Sequence, residues 1–124
     1  QRQICIRDRP RGGEIDLMEW VQGTPLQIYQ TVHTYYINGA NGSAGVTNKN
    51  PDKNFDVTKD HVYAVERTEK ELIFYVDGKE TWRYGNQYLD EGKLQYPFCE
   101  YPFNIILNFS LGGEWHDDMA GRNP

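Results

Sequence analysis

Short stretches of this chain alternate apolar and polar residues, and Gly, Asn, Asp or Pro residues separate the stretches. Since no stretch keeps apolar residues at helical spacing over several turns, the pattern predicts an all-β protein. The dipeptide Asp77-Gly78 is typical of a tight turn, so residues 71–84 are predicted to form a hairpin. The predicted strands are residues 4–6, 14–20, 26–37, 61–67, 71–76, 80–84 and 103–111.

A polar stretch rich in Asn, Gly and Lys occupies residues 38–59. Its composition predicts a long surface loop. Long loops on a rigid β-scaffold often line a binding site, but a solvated excursion without a function explains the same composition. No internal repeat or domain boundary is evident, so the 124 residues are predicted to belong to a single domain.

Composition and charge narrow the class of protein. An apolar fraction of 38% with 25% charged residues is typical of a soluble globular chain. The apolar runs are far shorter than the roughly 20 residues of a bilayer-spanning helix, so no membrane insertion is expected. The net charge of -5 has the wrong sign for neutralising phosphates, so no nucleic-acid partner is expected. No apolar leader follows Gln1, which leaves the compartment open.

Aromatic residues and cysteines leave alternatives open. Aromatic residues make up 14% of the chain, and nine of them are Tyr. Such rings suit a partly exposed surface that grips another molecule, although an all-β core uses many of the same residues. Cys5 and Cys99 allow one disulfide bond or two free thiols, and their spacing resembles no CxxC redox or zinc motif.

Three carboxylates, Glu14, Asp16 and Glu19, fall within six residues of the strand predicted at 14–20. On a regular strand, Glu14 and Asp16 point to one face and Glu19 points to the other. A β-bulge that inserts one extra residue near Leu17-Met18 brings Glu19 onto the face of the other two. The sequence therefore predicts a bulged strand with a row of three carboxyl groups on one surface.

Such a row has a chemical use in retaining glycoside hydrolysis, which needs a carboxylate nucleophile and a carboxylic acid about 5 to 5.5 Å apart. A third carboxyl between them positions the pair and raises the proton affinity of one partner. Two other interpretations fit the same spacing. One is a solvated acidic strand face, and the other is a calcium site, although one strand face offers few of the roughly six to eight ligands that calcium takes.

Residues 13–19, with the sequence GEIDLME, resemble the catalytic signature of glycoside hydrolase family 16 in its form with the extra bulge residue. The resemblance continues in order through four further blocks and covers residues 10–115. This succession of blocks is similar to that of the laminarinase-like branch of the family. The further blocks are residues 29–34, 61–66, 73–78 and 102–115. A match spread over so much of the chain is more specific than the motif alone.

The resemblance implies a fold and a set of roles. Family members fold as an antiparallel β-sandwich of the jelly-roll, concanavalin-like type, with the substrate cleft across the concave sheet. By resemblance, Glu14 is the nucleophile, Asp16 assists it, and Glu19 is the general acid that later acts as the base. His33 occupies the place of a histidine beside the acid/base residue and is expected to support it.

Three further residues are candidate substrate contacts. Trp20 and Trp115 are candidates for stacking on sugar rings, and Asn108 for hydrogen bonding to sugar or to the carboxylate row. Core packing is the alternative for both tryptophans. The resemblance implies no metal and no other cofactor.

The resemblance also implies an activity on polysaccharide. We expect an endo-acting retaining β-glycosidase that cuts a β-1,3-glucan or a mixed-linkage β-glucan. Because such polymers do not cross membranes intact, the expected location is extracellular, periplasmic or at the cell surface. The alternatives are an endo-β-galactosidase acting on algal or host glycans, and a catalytically inactive carbohydrate-binding fragment.

In length the chain departs from the family. Jelly-roll enzymes of this kind commonly run to about 200–250 residues, roughly twice the length here. We therefore expect residues 1–124 to be the C-terminal half of one catalytic domain. It would lack the N-terminal strands and the last strand of the sandwich, which another segment would supply.

Overall fold

The fold is built from two three-stranded antiparallel sheets, which confirms the predicted all-β class. The computed structural model describes residues 12–38, 46–49, 55–99 and 102–111. The strands are β1 Glu14–Trp20, β2 Ile28–His33, β3 Val46–Lys49, β4 Tyr63–Arg67, β5 Glu71–Val76 and β6 Lys79–Gly85. The first sheet has the order β1-β2-β3, and the second has the order β4-β5-β6. A 3-10 turn, Glu91–Lys93, follows the second sheet.

The apolar side chains of the two sheets pack against each other and form the core. Val32 of β2 belongs to one cluster with Leu72 and Phe74 of β5, and all three are fully buried. Between the sheets, the Thr81 hydroxyl of β6 donates to Gln30 Oε1 of β2 over 2.8 Å. The sheets therefore pack face to face as a sandwich, as predicted.

The second sheet is built on a hairpin whose turn the sequence specifies. Asp77 and Gly78 adopt positive φ angles of 52° and 77°. Two-residue hairpin turns of the favoured type require positive φ at both central positions. Val76 pairs with Lys79 directly across the turn. The hairpin predicted from Asp77-Gly78 is confirmed.

A histidine connects the loop before β4 to that turn through contacts with both. His61 Nδ1 lies 2.7 Å from Asp77 Oδ2, and His61 Nε2 lies 2.6 Å from the Asp56 carbonyl oxygen. The Phe55 ring stacks on the imidazole at a centroid distance of 4.4 Å, and Phe55 is itself buried. The loop is thereby held against the sheet by polar and apolar contacts together.

The strand predicted at 26–37 is shorter than predicted. β2 ends at His33, and a four-residue helix, α1 (Tyr35–Asn38), follows it. Thr34 explains the change of direction, because its side chain is fully buried and its carbonyl oxygen accepts a hydrogen bond from the Ile37 amide at 3.2 Å. The backbone is therefore satisfied locally at this point, and the sheet ladder stops.

Part of the polar stretch predicted as a loop at 38–59 is the strand β3. It pairs with β2 in a register that sets Thr47 opposite Thr31 and Val46 opposite Val32. The sequence of β3 is polar enough to be typical of a loop. The pairing with β2, which is distant along the chain, therefore decides this element rather than local composition.

The strand predicted at 103–111 pairs with no other strand among the described residues. Its sequence alternates as a strand does at Phe103, Ile105, Leu107, Phe109 and Leu111. These apolar side chains and that of Ile106 are exposed. Its beginning packs on the sandwich, where the rings of Phe98 and Phe103 lie 5.9 Å apart. A strand pattern forms a strand only where a neighbouring strand supplies backbone partners, so this prediction is wrong for the described part of the chain.

Three predictions concern residues that the structure describes only in part or not at all. Cys99 is a free cysteine whose thiol donates to the Thr68 carbonyl oxygen at 3.2 Å. Cys5, the strand predicted at 4–6 and Trp115 lie outside the described residues.

Among the helices that the structure describes, none has the length and apolar character needed to cross a membrane.

Candidate active site

A glycine fixes the start of β1. Gly13 has a φ of +73°, and a Cβ atom placed on it would lie 2.6 Å from Cε1 of the Phe98 ring. Non-glycine residues rarely adopt such a φ, and heavy atoms do not approach that closely. Because Phe98 is fully buried, this contact anchors the beginning of the carboxylate-bearing strand to the core.

β1 carries the bulge that the carboxylate spacing predicts. The pairs across β1 and β2 are Glu14–His33, Asp16–Thr31 and Glu19–Tyr29. Three steps along β1 therefore match two steps along β2, which accommodates one extra residue between Asp16 and Glu19. The three partners on β2 are alternate residues and share a face, and directly paired residues point to the same side. Glu14, Asp16 and Glu19 thus lie on one face, and the geometric prediction is confirmed.

His33 lies within the carboxylate row. Its Nε2 is 3.1 Å from Asp16 Oδ2, and each of the two side chains is 18% exposed. In the strand register His33 lies directly across from Glu14, and its charge also acts on Glu19. The structure therefore brings together all four residues predicted to be catalytic, while their individual roles stay predictions.

The surroundings of Glu19 favour its protonated form. Burial raises the pKa of its carboxyl above the ordinary 4.5, and the negative charge of Asp16 raises the pKa further. The charge of His33 and a hydrogen bond from the Thr31 hydroxyl act in the opposite direction. The net effect is a raised pKa, which is what a general acid needs in order to hold its proton.

The same residues offer ligands for a metal ion. One ligand atom from each of Glu14, Asp16 and His33 lies within 4.8 Å of the other two. Two carboxylates and one imidazole fall short of the roughly six to eight oxygen ligands that calcium takes. A metal bound here would also occupy the carboxylate oxygens that glycoside hydrolysis uses, so the two uses exclude each other.

The strand register turns Trp20 away from the carboxylate row. Trp20 pairs with Ile28, whose side chain is buried in the core. As the neighbour of Glu19 along the strand, Trp20 points to the opposite face. Its indole N–H donates to the Pro25 carbonyl oxygen at 3.1 Å. This placement gives no support to the predicted stacking of Trp20 on sugar beside the three acids.

The other two candidate substrate contacts are not joined to the carboxylate row by any contact that the structure describes. Asn108 is exposed in the stretch 102–111, which pairs with no described strand. Trp115 lies outside the described residues. Their assignment to sugar binding stays a prediction.

The sequence-based list of site residues omits Thr31 and Thr47. Thr31 is buried, and its Oγ1 lies 3.1 Å from Thr47 Oγ1 on the neighbouring strand. A signal for Thr31 exists in the sequence, because residues 31 and 33 alternate on β2 and so the hydroxyl shares the face of His33. No local signal marks Thr47, since β3 is identifiable only through its pairing with β2.

Comparison with known protein families relates this chain to enzymes that act on carbohydrates. The family profile described as glycosyl hydrolases family 16 matches residues 4–122. This match extends far beyond the carboxylate motif of β1 and includes both sheets.

Two characterised relatives align with most of the chain. It is 36% identical over 110 residues to a beta-glucanase of Rhodothermus marinus, which covers 86% of this chain and 37% of that protein. It is 32% identical over 116 residues to glucan endo-1,3-beta-glucosidase A1 of Niallia circulans, which covers 90% of this chain and 16% of that protein. The chain thus spans well under half the length of these relatives.

Solved structures share the fold. One comes from a study of endo-acting O-glycanases that prominent members of the human gut microbiota express to initiate mucin breakdown. It matches with a TM-score of 0.82 and 85% identity over 86% of this chain and 44% of its own. The catalytic domain of an endo-1,3-beta-glucanase (laminarinase) from Thermotoga petrophila matches with a TM-score of 0.55 and 31% identity, over 73% of this chain and 36% of its own.

Proposed function

The chain belongs to glycosyl hydrolase family 16, and from this membership we propose that it carries the catalytic strand of an endo-acting retaining β-glycosidase. The observation that supports the proposal most is the bulge of β1, which turns Glu14, Asp16 and Glu19 to one face. A retaining glycosidase needs one ionised and one protonated carboxyl group at the bond to be cut. Three neighbouring acids with a raised pKa at Glu19 suit that requirement.

In the proposed first step, the Glu14 carboxylate attacks the anomeric carbon while the bond from that carbon to the glycosidic oxygen breaks. Glu19 donates its proton to this oxygen, so the leaving sugar departs as a neutral alcohol. A covalent ester between Glu14 and the remaining sugar is formed. In the second step, Glu19 takes a proton from water, the water oxygen attacks the same carbon, and Glu14 leaves as a carboxylate. Two inversions at one carbon restore the β configuration.

Asp16 and His33 complete the proposed site. The negative charge of Asp16 raises the pKa of Glu19 and so helps to keep the acid protonated until it is used. His33, 3.1 Å from Asp16, holds that carboxylate in position within the row. Asp16 and His33 therefore tune and orient the reacting pair in this mechanism.

For the substrate we propose a mucin-type O-glycan, which falls under the host-glycan alternative raised by the sequence. The support is the 85% identity to the structure from work on endo-acting O-glycanases. This identity is far higher than the 36% and 32% to the beta-glucanase and the endo-1,3-beta-glucosidase. A β-1,3-glucan or mixed-linkage β-glucan is the second candidate, because the names of those two relatives favour it.

We infer that the activity takes place outside the cytoplasm, either at the cell surface, in the periplasm or in the medium. Both candidate substrates are large, since O-glycans are attached to mucin chains and β-glucans are polymers. Neither crosses a membrane intact, so an endo-acting enzyme has to meet them outside. Fractionation of the source cells, followed by immunodetection, tests the location.

The test of the function is the release of reducing ends from mucin and from laminarin by the full-length protein. We expect Glu14→Ser to lower kcat by roughly 10⁴-fold or more and Glu19→Gln by roughly 10²- to 10⁴-fold, with sugar binding retained in both. NMR of the first product should show the β-anomer. Glu66→Gln on β4 is the matched control, and its activity should equal that of the unmutated protein.

Different outcomes of this test separate the candidates. Release from mucin with none from laminarin supports the O-glycan substrate, and the reverse supports a β-glucan. An α-configured first product would rule out the double displacement. Binding of glycan without any turnover by the unmutated protein would leave only the carbohydrate-binding alternative.

A further inference from the structure

Thr31 lies at the centre of the first sheet, between the acids of β1 and the strand β3. It pairs with Asp16 on one side and with Thr47 on the other. Because directly paired residues point to the same side of a sheet, the hydroxyls of Thr31 and Thr47 share the face of the carboxylate row. Thr31 is only 5% exposed, so its hydroxyl depends on protein partners.

The hydroxyl of Thr31 has two such partners. Its Oγ1 lies 3.1 Å from Thr47 Oγ1. The strand register also sets Thr31 diagonally next to Glu19 on the same face, where a hydrogen bond from its hydroxyl lowers the pKa of the Glu19 carboxyl group. A hydroxyl carries one hydrogen and accepts others through its lone pairs. When Glu19 is ionised it only accepts, so Thr31 donates to Glu19 and must accept from Thr47. The three groups therefore form a chain with one direction, from Thr47 through Thr31 to Glu19.

We propose that Thr31 is the positioning residue of Glu19, and that Thr47 fixes the direction in which the Thr31 hydroxyl points. This inference rests on the acid/base role proposed for Glu19. It assigns to β3, a strand that carries no acid of the row, a part in orienting the proton donor.

The chain of hydroxyls acts on the carboxylate that appears as the reaction proceeds. When Glu19 gives its proton to the leaving oxygen, the new negative charge meets a hydrogen that already points at it. A hydrogen bond to the charged form stabilises that form. It therefore opposes the effect of burial and of Asp16, which favour the protonated form. Burial and Asp16 thus make Glu19 hold its proton more tightly than an ordinary carboxyl group does, while the hydroxyl helps it to release the proton.

The experiment compares Thr31→Val, Thr31→Ser and Thr47→Val in the full-length protein. The alkaline limb of the pH dependence of kcat/KM reports the acid group of the free enzyme. In Thr31→Val this limb should move to higher pH, and kcat should fall roughly fivefold, the size expected for one net hydrogen bond. Thr31→Ser keeps the hydroxyl and should restore both values.

Thr47→Val should move the limb in the same direction but by less. Thr47 is exposed, so water replaces part of what its hydroxyl donates. The matched control is Thr58→Val, which removes a hydroxyl bonded to Asp56 in the loop before β4 and should leave the limb in place. An unmoved limb in Thr31→Val, or a Thr31→Ser variant that behaves like Thr31→Val, overturns the proposal.

A readout without turnover separates this inference from the proposed function. A ¹³C-carboxyl NMR titration follows Glu19 directly, and the signal is assigned by its loss in Glu19→Gln. The titration of Glu19 should move to higher pH in Thr31→Val even if the protein cuts neither mucin nor laminarin. If the protein is active but this titration does not move, the hydroxyl chain is refuted and the glycosidase assignment stands.

Discussion

His33 and Asp16 in the first sheet are 3.1 Å apart, and His61 and Asp77 beside the second sheet are 2.7 Å apart. The first pair shares its face with two more carboxylates of β1. In the second pair, the other ring nitrogen of His61 contacts a backbone carbonyl oxygen, and the aspartate accepts from the Val62 amide at 2.9 Å. The same two residue types therefore belong to a row of neighbouring acids in one sheet and to a structural contact between a loop and a turn in the other.

The surroundings favour the charged forms of the titratable groups in one region and the uncharged form in the other. An imidazole can donate from both nitrogens only when it is protonated, so two oxygen acceptors around His61 favour its cationic form. The hydrogen bonds to the Asp56 carbonyl oxygen and to Asp77 raise the pKa of His61, and those from Val62 and His61 lower the pKa of Asp77. In the first sheet, burial and a like charge raise the pKa of Glu19. Pairing at the turn thus favours the charged forms of His61 and Asp77, while burial and a neighbouring negative charge favour the uncharged form of Glu19.

The largest expected effect tests the glycine that anchors β1 against the glycine of the hairpin turn. Gly13→Ala should lower the free energy of unfolding by about 3 kcal/mol, because a positive φ and an overlap with the Phe98 ring act together. Gly78→Ala has a similar φ of +77° but no atom within 4 Å, so it should cost only about 1 kcal/mol. Urea denaturation of both variants measures the difference. Equal losses would show that the close approach to Phe98 is unimportant.

Next in size is the exchange of the two histidines for asparagine. His33→Asn should lower kcat by roughly 10- to 100-fold with a small change in thermal stability, since it removes a hydrogen bond to a charged group of the row. His61→Asn should lower the melting temperature and leave kcat within about twofold of the unmutated value, because no residue of the row contacts it in the described structure. Steady-state kinetics and calorimetry on both variants give the four numbers. Loss of activity in His61→Asn alone would reverse the assignment of the two pairs.

The smallest expected effect is the pH dependence of the stability that the His61–Asp77 contact contributes. Because its pKa is raised above 6.5, the stability it contributes is fully present below pH 6.5 and is lost as the pH rises through the raised pKa. The pKa of Asp77 is lowered from the ordinary value of 3.8. The stability that Asp77 contributes is therefore present above pH 3.8 and is lost as the pH falls through the lowered pKa. Asp56 and Asp77 act on the pKa of His61, and the Tyr63 ring lies 6.2 Å from the imidazole. Lys59 acts on Asp56.

Melting temperatures of the unmutated protein and of His61→Asn, measured between pH 4 and pH 9, check this window. The gap between the two proteins should be widest from about pH 4 to 6.5 and should narrow towards pH 9. Groups elsewhere in the chain cancel in the difference. A gap that stays constant over the whole range would mean that His61 acts through the stacking of Phe55 alone.

The features that the sequence predicts well are those that depend on neighbours along the chain. The bounds of β1 and β5 agree with the prediction, and Asp77-Gly78 specifies its turn through backbone angles. The bulge is predictable because three acids at this spacing share a face only if one residue is surplus. These signals need no knowledge of the rest of the fold.

The features that escape prediction depend on partners far along the chain. β3 forms because β2 offers a second edge, and the stretch 103–111 has the pattern of a strand without a described partner. Thr31 becomes a candidate for the site only when β1 and β3 are seen on its two sides. Pairing partners of this kind are set by tertiary structure, which a local pattern does not contain.

Because β1 contains one surplus residue, deleting a residue at the bulge and inserting one there have different effects on the three acids. Deleting Leu17 or Met18 would straighten the strand and leave all three acids at alternate positions, so they would still face the same way. Adding one more residue at that point has two possible results. If the bulge is kept, the last acid turns towards the apolar layer around Val32 and Phe74. If the strand straightens, the last acid keeps its face but slips along β2 from Tyr29 to Gln27. Shortening by one residue therefore keeps both the face and the register of the three acids, whereas lengthening by one residue keeps only one of the two.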